Sequence, residues 1–289
     1  MNIVLLIGII VGLTMQNVVK KVYNDRISGG GVYAFNTLAS LSALLFFVAF
    51  RGEKTVIDSG LVGYSVGFSV MYILFLVSSL LAVKYGSLAV TTLIISYSLI
   101  IPTLYGLIFL KESAGIVMYI GIVLLLLSLF LINMKQDDNG TGEKIRVTKK
   151  WAILAVLAFV GNGMCTVIQK QQQLAFDGAY KCEFMIIALL AVTVVMTACM
   201  FIKERKTMRE HLKKGWLCAV LCGVMNGMVN LFVMILTGRM AASVMFPLIS
   251  AIGIIPTVLI GVFYYKEKLS KRQAIGFLAG VLSVALLSI

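Results

Sequence analysis

Long apolar segments alternate with short charged gaps along the whole chain, and this pattern predicts its architecture. A helix of about 20 apolar residues is long enough to cross the hydrocarbon core of a bilayer. Cutting the chain at the gaps leaves ten apolar spans: 2–19, 31–50, 61–83, 87–110, 114–134, 151–169, 180–202, 215–236, 240–265 and 273–289. We therefore predict an all-α integral membrane protein with ten transmembrane helices.

The composition supports a membrane protein and argues against a nucleic-acid partner. Hydrophobic residues make up 60% of the 289 residues, whereas a soluble domain is about half apolar. The formal net charge is +13, but the basic residues lie in the gaps and do not form the basic face that nucleic-acid binding requires. We expect the lipid bilayer and a small-molecule substrate as partners, with the protein acting as a monomer or homodimer.

The basic residues are distributed unevenly between the two ends of the spans. Nineteen of the 25 lysines and arginines lie in the gaps that follow spans 1, 3, 5, 7 and 9. Cytoplasmic loops of membrane proteins are enriched in lysine and arginine. We therefore expect a multi-pass protein of the cytoplasmic membrane, in a prokaryotic cell, with both termini outside.

An internal repeat relates the two halves of the chain. The segment Ser96-x3-Ile-Ile-Pro102-Thr in span 4 recurs 154 residues later as Ser250-x3-Ile-Ile-Pro256-Thr in span 9. The glycines and the glutamate that follow match as well, after a shift of one residue. This pattern predicts a first five-helix repeat over 1–134, a charged linker over 135–150 and a second repeat over 151–289.

The number of spans in each repeat has a consequence for function. Because five is odd, the second repeat enters the membrane upside down relative to the first. Inverted repeats of this kind are a recurring design of secondary transporters, whose substrate site lies near the middle of the bilayer. The organisation therefore favours a transporter that works by alternating access.

Similar signatures follow in both halves. They are Lys84-Tyr85-Gly86-Ser87-Leu88-Ala89 with Pro102, Gly106 and Lys111-Glu112, and Arg239-Met240-Ala241-Ala242 with Pro256, Gly261 and Lys266-Glu267. The chain resembles the drug/metabolite transporter superfamily, specifically its ten-helix EamA-type members. The resemblance implies a transporter whose central cavity is surrounded by spans 1, 3, 4, 6, 8 and 9. It leaves the substrate and the direction of transport open.

Polar side chains on these six spans are candidates for lining the cavity. Carboxamides favour a cavity, because their two donors and one acceptor are hard to satisfy in a packed interface. For a single hydroxyl group, a packed helix contact is the favoured interpretation. The candidate substrate-binding residues are Gln16, Tyr72, Thr92, Ser96, Asn162, Thr166, Asn226, Asn230 and Ser250.

Charged residues within or at the ends of the spans form a second set of candidates. Glu183 lies one turn into span 7, where a carboxylate can take a proton or hold a cation, and alignment of the two halves gives Asn36 the equivalent position in span 2. Lys84 and Arg239 close spans 3 and 8. They suit an anionic substrate, although long basic side chains at helix ends commonly extend to the membrane surface.

The first span distinguishes two classes of substrate. Small multidrug pumps of the superfamily that the chain resembles use a glutamate in their first helix. The first span of this chain carries Gln16 and no acidic residue. This difference favours a small polar metabolite that is neutral or zwitterionic, such as an amino acid, nucleobase or nucleoside. The alternative is a proton- or cation-coupled exporter of cationic drugs or amines that uses Glu183.

Enzymatic chemistry finds no support in the sequence. The single histidine, His211, lies in a basic gap, so no histidine-based triad or zinc site is predicted within the membrane. The five cysteines lie in or at the ends of spans and fit a packing role. No phosphate-binding glycine loop is present. We expect no enzyme activity, cofactor or metal, and a channel or lipid scramblase is the remaining alternative class.

The distribution of basic residues makes a testable prediction of topology. Green fluorescent protein fused within 135–150 should fluoresce, and alkaline phosphatase fused there should be inactive, because the positive-inside rule assigns this gap to the cytoplasm. Fusions after Ile289 should give the opposite result. Active phosphatase within 135–150 would contradict the assignment.

Overall fold

The computed structural model describes residues 2–27, 31–52, 58–85, 91, 94–95, 97–112, 115–133, 149–250, 252 and 271–287. All the regular structure in these residues is helical. The helices are α1 (Asn2–Ile27), α2 (Val32–Phe50), α3 (Ser59–Tyr85), a 3-10 turn (Tyr97–Leu99), α4 (Ile100–Ile108), α5 (Ile116–Asn133), α6 (Lys149–Ala175), α7 (Lys181–Lys203), α8 (Met208–Thr237), α9 (242–250) and α10 (Lys271–Leu287).

Six of the described helices are long and apolar enough to cross a membrane. They are α1, α2, α3, α6, α7 and α8, and shorter apolar helices cover Tyr97–Ile108, Ile116–Ser128 and Ala274–Ser283. The prediction of an all-helical membrane protein is confirmed in this form. Part of the predicted span 9 lies outside the described residues, so ten spans remain a prediction.

Two helices extend well past the apolar spans predicted for them. Helix α6 continues to Ala175, although its apolar span ends at 169, and α8 begins at Met208, although its span begins at 215. Both extensions carry polar side chains, which end an apolar run but do not end a helix. The extension of α6 brings Lys170 into a helix that the hydropathy pattern had ended one residue earlier.

The chain forms two compact units, and each draws on both halves of the sequence. The first unit consists of Met1–Ile73 and Ile168–Arg239, and the second of Leu74–Val167 and Met240–Ile289. The predicted repeats, 1–134 and 151–289, are segments of sequence and remain a prediction. The compact units arise because helices from the two segments pack together.

Close helix contacts hold the first unit together. Helix α8 packs against α1 and α2, and α2 also packs against α7. A Cβ atom at Gly223 of α8 would overlap the carbonyl oxygen of Ala39 in α2. A Cβ atom at Gly12 of α1 would overlap a side-chain methyl group of Val229 in α8. Glycine is required at Gly223 because the two helix backbones approach closely there, which is how membrane helices gain contact without a hydrophobic driving force.

In the second unit, α5 and α10 are joined by two reciprocal hydrogen bonds. The Ser128 hydroxyl donates to the carbonyl oxygen of Gly276 at 2.6 Å, and the Ser283 hydroxyl donates to the carbonyl oxygen of Gly121 at 2.8 Å. Both serines are fully buried. Each serine thus finds its partner on the backbone of the opposite helix.

The beginning of α2 is held by a carboxylate from a distant segment. Glu204 accepts the backbone N–H groups of Tyr33 at 3.0 Å and Ala34 at 2.9 Å. Nearby, the Tyr23 hydroxyl donates to the carbonyl oxygen of Gly31 at 2.6 Å. Burial, followed by the negative charge of Glu204, raises the pKa of this phenol. Tyr23 therefore remains protonated, and the first turn of α2 has its donors satisfied.

The second unit uses the same device at the beginning of α9. Glu112 accepts the backbone N–H groups of Ala242 at 2.9 Å and Ser243 at 2.8 Å. A Cβ atom at Gly106 would overlap the Glu112 carboxylate and would lie 2.9 Å from the Ser243 nitrogen. The glycine and the glutamate of the repeated signature therefore act together, because only glycine leaves room for the carboxylate to reach α9.

The tight approach at Gly223 generates a prediction about stability. Gly223→Ala should lower the free energy of unfolding by about 1–3 kcal/mol, because the added methyl group meets the backbone of α2. Gly63→Ala is the matched control, since nothing lies within 4 Å of an added Cβ there. The control should raise helix stability by up to about 1 kcal/mol. Equal thermal unfolding of the two variants in detergent would contradict the predicted clash.

Candidate functional site

Four polar side chains from α3, α6 and α8 form a continuous hydrogen-bonded chain in the first unit. The Asn226 carboxamide donates to the hydroxyl oxygen of Tyr72 at 3.3 Å. Asn230 donates to the side-chain oxygen of Asn226 at 2.8 Å, and Gln169 donates to the side-chain oxygen of Asn230 at 2.8 Å. We call Tyr72, Asn226, Asn230 and Gln169 the amide ladder. It contains three of the residues predicted from the sequence.

Two members of the amide ladder, Tyr72 and Asn226, lie near the middle of their helices, whereas Asn230 and Gln169 lie in the C-terminal thirds of α8 and α6. Tyr72 stands midway along α3, and Asn226 and Asn230 are one turn apart on one face of α8. Tyr72, Asn226 and Asn230 are half-buried, whereas Gln169 is only 2% exposed. The three half-buried groups therefore remain accessible, while Gln169 supports them from within the protein.

An aromatic pair flanks the ladder on α3. The rings of Phe68 and Tyr72 stack with centroids 5.5 Å apart, and Phe68 also meets Phe184 of α7 edge-on at 5.4 Å. Such packing fixes the orientation of the Tyr72 ring and holds its hydroxyl against Asn226. The site thus combines uncharged hydrogen-bonding groups with an aromatic face, which is the usual lining of a small-molecule site.

Gln16 lies in the contact between α1 and α8. Gly8 lies against Phe232, and Gly12 against Val229, so the two helices run antiparallel and Gln16 is level with 222–226 of α8. Gln16 is 7% exposed, and its amide nitrogen has no partner among the described residues. The structure thus brings Gln16 to the same helix as the ladder, with a donor that still needs an acceptor.

The candidates on α6 in the second unit form a separate polar contact. Asn162 donates to the hydroxyl oxygen of Ser98 at 2.6 Å. Thr166 is one turn away and donates to the carbonyl oxygen of Gly163 at 2.7 Å. Gly163 also lies against the backbone of Ser98. This region is a close helix contact, and the Thr166 hydroxyl group is hydrogen-bonded to a carbonyl oxygen of its own helix.

Ser250 lines an apolar groove of about 180 Å³ in the second unit. Its hydroxyl donates to the carbonyl oxygen of Phe246 at 2.9 Å. Tyr97 and Tyr119 also border the groove, and leucine and isoleucine side chains from α4 and α5 supply most of its wall. Because Ser250 is bonded to its own helix, it offers this groove little polarity.

Three candidate side chains lie outside the described residues. They are Thr92 and Ser96 of span 4 and the Lys84 side chain at the end of α3. Arg239 is described and occupies an exposed turn directly after α8, where its backbone N–H donates to the carbonyl oxygen of Leu236 at 2.8 Å. A cation at this position suits the negative end of the α8 dipole.

The structure does not bring Glu183 and Asn36 together. Thr193 donates to the hydroxyl oxygen of Ser40 at 3.1 Å, and the thiol of Cys182 lies 3.5 Å from the carbonyl oxygen of Phe50. Helices α2 and α7 therefore run antiparallel. Glu183, in the first turn of α7, is level with the end of α2, whereas Asn36 lies near its beginning.

The sequence analysis did not select Gln169 or Ser98 for the site. Gln169 is the last residue of predicted span 6, a position where a polar side chain is expected at a span end, and Ser98 carried no signal that separated it from other serines in apolar spans. No group of His, Cys, Asp and Glu side chains suited to a metal ion occurs among the described residues. The chemistry of the ladder is hydrogen bonding by neutral groups.

The long apolar helices are those of a multi-pass membrane protein. Residues 149–289 match the model of the EamA-like transporter family, which is part of the drug/metabolite transporter superfamily. Residues 149–289 are thus similar to EamA-like transporters. The resemblance inferred from the two signatures is confirmed, and the family is one of membrane transporters.

The other comparisons concern the fold. No curated protein sequence matches the chain. A solved structure, described only as the crystal structure of a protein, has a TM-score of 0.76 with 13% sequence identity, and the match covers 98% of this chain and 94% of the other. At this identity the likeness shows a shared fold alone.

The ladder predicts energetic coupling between Gln169 and Asn230. A double-mutant cycle with Gln169→Ala and Asn230→Ala should give a coupling free energy of about 1 kcal/mol, because each single variant already removes their shared hydrogen bond. Gln169→Ala with Thr193→Val is the control cycle, since Thr193 bonds Ser40 instead. Additive changes in the unfolding midpoint for Gln169 and Asn230 would contradict the ladder.

Proposed function

We propose that this protein is a secondary transporter that moves a small polar metabolite, neutral or zwitterionic, across the cytoplasmic membrane of a prokaryotic cell. The substrate binds at the amide ladder and is released on the other side by alternating access. Amino-acid-like and nucleobase- or nucleoside-like compounds are the candidate classes. The proposal includes ten helices in two inverted repeats, both termini outside, and a monomer or homodimer.

The amide ladder is the observation that carries this proposal. A polar group near the middle of a membrane helix is costly, so it commonly marks a substrate path. The described contacts use only one of the two N–H donors of Asn226. The remaining donor, the accessible carboxamide of Asn230 and the ring of Tyr72 can recognise an uncharged polar group by hydrogen bonds and stacking.

Contacts between equivalent positions support the inverted repeat. Tyr72 and Asn226 are separated by the 154 residues that relate the two halves in span 4 and span 9, and they bond each other directly. The reciprocal bonds of Ser128 and Ser283 likewise join positions that the repeat makes equivalent. A pseudo-twofold axis between inverted halves produces contacts of this kind.

The competing proposal is a proton- or cation-coupled exporter that uses Glu183. This residue lies in the first turn of α7 and is half-buried. It stands near a helix end, away from the middle of the span, and next to Lys181. A carboxylate that couples transport usually faces the bundle interior or a water-filled cavity, so we favour the neutral ladder.

Thermal stabilisation of the purified protein by a metabolite panel tests the proposed function. The panel contains amino acids, nucleobases, nucleosides, vitamins, amines and cationic drugs. A ligand at one hundred times its dissociation constant should stabilise the folded protein by roughly 2.7 kcal/mol. The stabilising compound should be neutral or zwitterionic, and uptake into proteoliposomes should saturate with its concentration.

Two variants assign the effect to the ladder. Asn226→Ala should abolish the stabilisation and the uptake, whereas Thr193→Val, a polar-to-apolar change outside the ladder, should leave both intact. Cationic ligands whose effect disappears in Glu183→Gln would establish the competing exporter. Flux that does not saturate, or lipid movement without any ligand, would favour a channel or a scramblase.

A further inference from the structure

A cluster of positive charge lies where α7 ends and α8 begins. The segment 203–214 contains six basic residues and two acids. All six basic residues are exposed: Lys203, Arg205, Lys206, Arg209, Lys213 and Lys214. Basic residues in a gap orient a membrane protein, but orientation alone does not require them to stand together on one surface.

The two acids of this segment are bound by other groups. Glu204 accepts the backbone N–H groups of Tyr33 and Ala34, and its side chain is only 12% exposed. Glu210 accepts a hydrogen bond from the ammonium group of Lys214 at 2.6 Å. Among the described residues, the other five basic side chains of the segment have no acidic partner.

Neighbouring elements do not neutralise the cluster. The end of α1 packs here, because Tyr23 lies against Gly215 of α8. The sequence of this end adds three basic residues and one acid, which are Lys20, Lys21, Arg26 and Asp25. The opposite end of the first unit, where Gly60 lies near Phe176, carries the other described acids of the unit, Asp58, Asp177 and Glu183. The beginning of α8 therefore keeps an excess of positive charge.

Part of the cluster shares one face of α8 with a tryptophan. Arg209, Lys213 and Trp216 are spaced by four and three residues, so they lie on the same side of the helix. All three are exposed, and Trp216 is 54% exposed. Gly215 and Cys218, by contrast, are buried. This face of α8 therefore points away from the core of the first unit.

The cluster lies at the level of the lipid headgroups. Large apolar side chains border it on both sides and are about half exposed or more: Phe201, Ile202, Trp216 and Leu217. Tryptophan is enriched at the boundary between hydrocarbon and water. Lys213 and Arg209 stand about 5 and 10 Å beyond Trp216 along α8, and the headgroup region is roughly 5–8 Å deep. Their charged ends therefore reach the lipid phosphates.

We propose that the beginning of α8 binds the headgroup of an anionic phospholipid. Arg209 and Lys213 hold the phosphate, Arg205 and Lys206 in the turn before α8 add positive charge, and Trp216 packs beside the glycerol and the first acyl carbons. Guanidinium and ammonium groups are the usual phosphate ligands. A soluble phosphate compound would use the charges but not the exposed apolar side chains, so a lipid fits better. The proposal does not depend on the substrate of the amide ladder.

A role in membrane orientation alone predicts something different. The basic residues would then attract anionic lipid no better than other exposed basic residues near a span end. Lys271 and Arg272 at the beginning of α10 provide the matched pair, because both are exposed and the positive-inside rule assigns them to the same side. A binding site predicts a lipid preference next to Trp216 that depends on Arg209 and Lys213.

The two tryptophans of the chain make a local measurement possible. Trp151→Phe leaves Trp216 as the single tryptophan. The full-length protein is reconstituted into vesicles with equal parts of phosphatidylcholine and phosphatidylglycerol, of which one or the other carries brominated acyl chains that quench tryptophan fluorescence. The ratio of quenching gives the preference for the anionic lipid at Trp216. Native mass spectrometry of the wild-type protein with the same lipids provides a second measurement.

Phosphatidylglycerol should be preferred at Trp216. The double variant Arg209→Gln/Lys213→Gln should lower this preference about tenfold or more, because each basic side chain near a membrane surface contributes about fivefold to the binding of anionic lipid. Lys271→Gln/Arg272→Gln should change the preference less than about twofold. High salt should weaken the preference, since the charges are exposed and screened.

Several outcomes would overturn the inference. They are the absence of a preference in the wild-type sequence around Trp216, a preference unchanged in Arg209→Gln/Lys213→Gln, and equal losses in the two double variants. Loss of the preference on addition of millimolar glycerol phosphate would do the same, because the ligand would then be a soluble phosphate compound. If Trp151→Phe fails to fold, bound phosphatidylglycerol in native mass spectra decides by the same comparison of double variants.

Discussion

A polar group that enters a bilayer must find its hydrogen-bond partner inside the protein, because hydrocarbon offers none. Beside the charged gaps, the beginnings of two helices also have N–H groups that lack a partner in their own helix, and carboxylates of this protein accept them. Glu204 receives the first N–H groups of α2, and Glu112 receives those of α9. Each carboxylate comes from a segment far away in sequence, so the same bonds that satisfy a helix end also tie distant parts of the chain together.

The same constraint makes the middle of the helices informative. Most of their side chains are apolar, and the hydroxyl groups of Thr166 and Ser250 are satisfied by their own helix. The amide ladder differs because its members are satisfied by one another across three helices and still retain hydrogen-bonding capacity. Polar side chains that remain accessible within apolar helices fit a binding site, because they can exchange their hydrogen bonds with one another for hydrogen bonds to a substrate.

The duplication of the chain is a second theme of the structure. Bonds between Tyr72 and Asn226, and between Ser128 and Gly276, join helices from different sequence halves. Each compact unit is consequently built from both halves. The described residues do not form two consecutive domains, because helices from one half of the sequence pack against helices from the other.

The sequence by itself determined that the chain is helical and spans a membrane, and it predicted the duplication. Long apolar runs, glycine-rich spans and the repeated signature encode these properties locally, without reference to any partner. It also pointed to Tyr72, Asn226 and Asn230, because a tyrosine and two carboxamides at helical spacing stand out in an apolar helix. These features were therefore open to prediction before any contact was known.

Only the tertiary structure decided which polar groups meet. Gln169 and Asn230 are 61 residues apart in sequence, and nothing local indicates that they bond. The apolar pattern ended span 6 before Lys170, yet α6 continues to Ala175, and the ammonium group of Lys170 donates to the carbonyl oxygen of Thr237, far along the chain. Hydropathy measures the cost of exposing a single side chain to lipid. Whether a polar side chain can be buried within the membrane depends on its hydrogen-bond partner, and the folded arrangement of the helices supplies that partner.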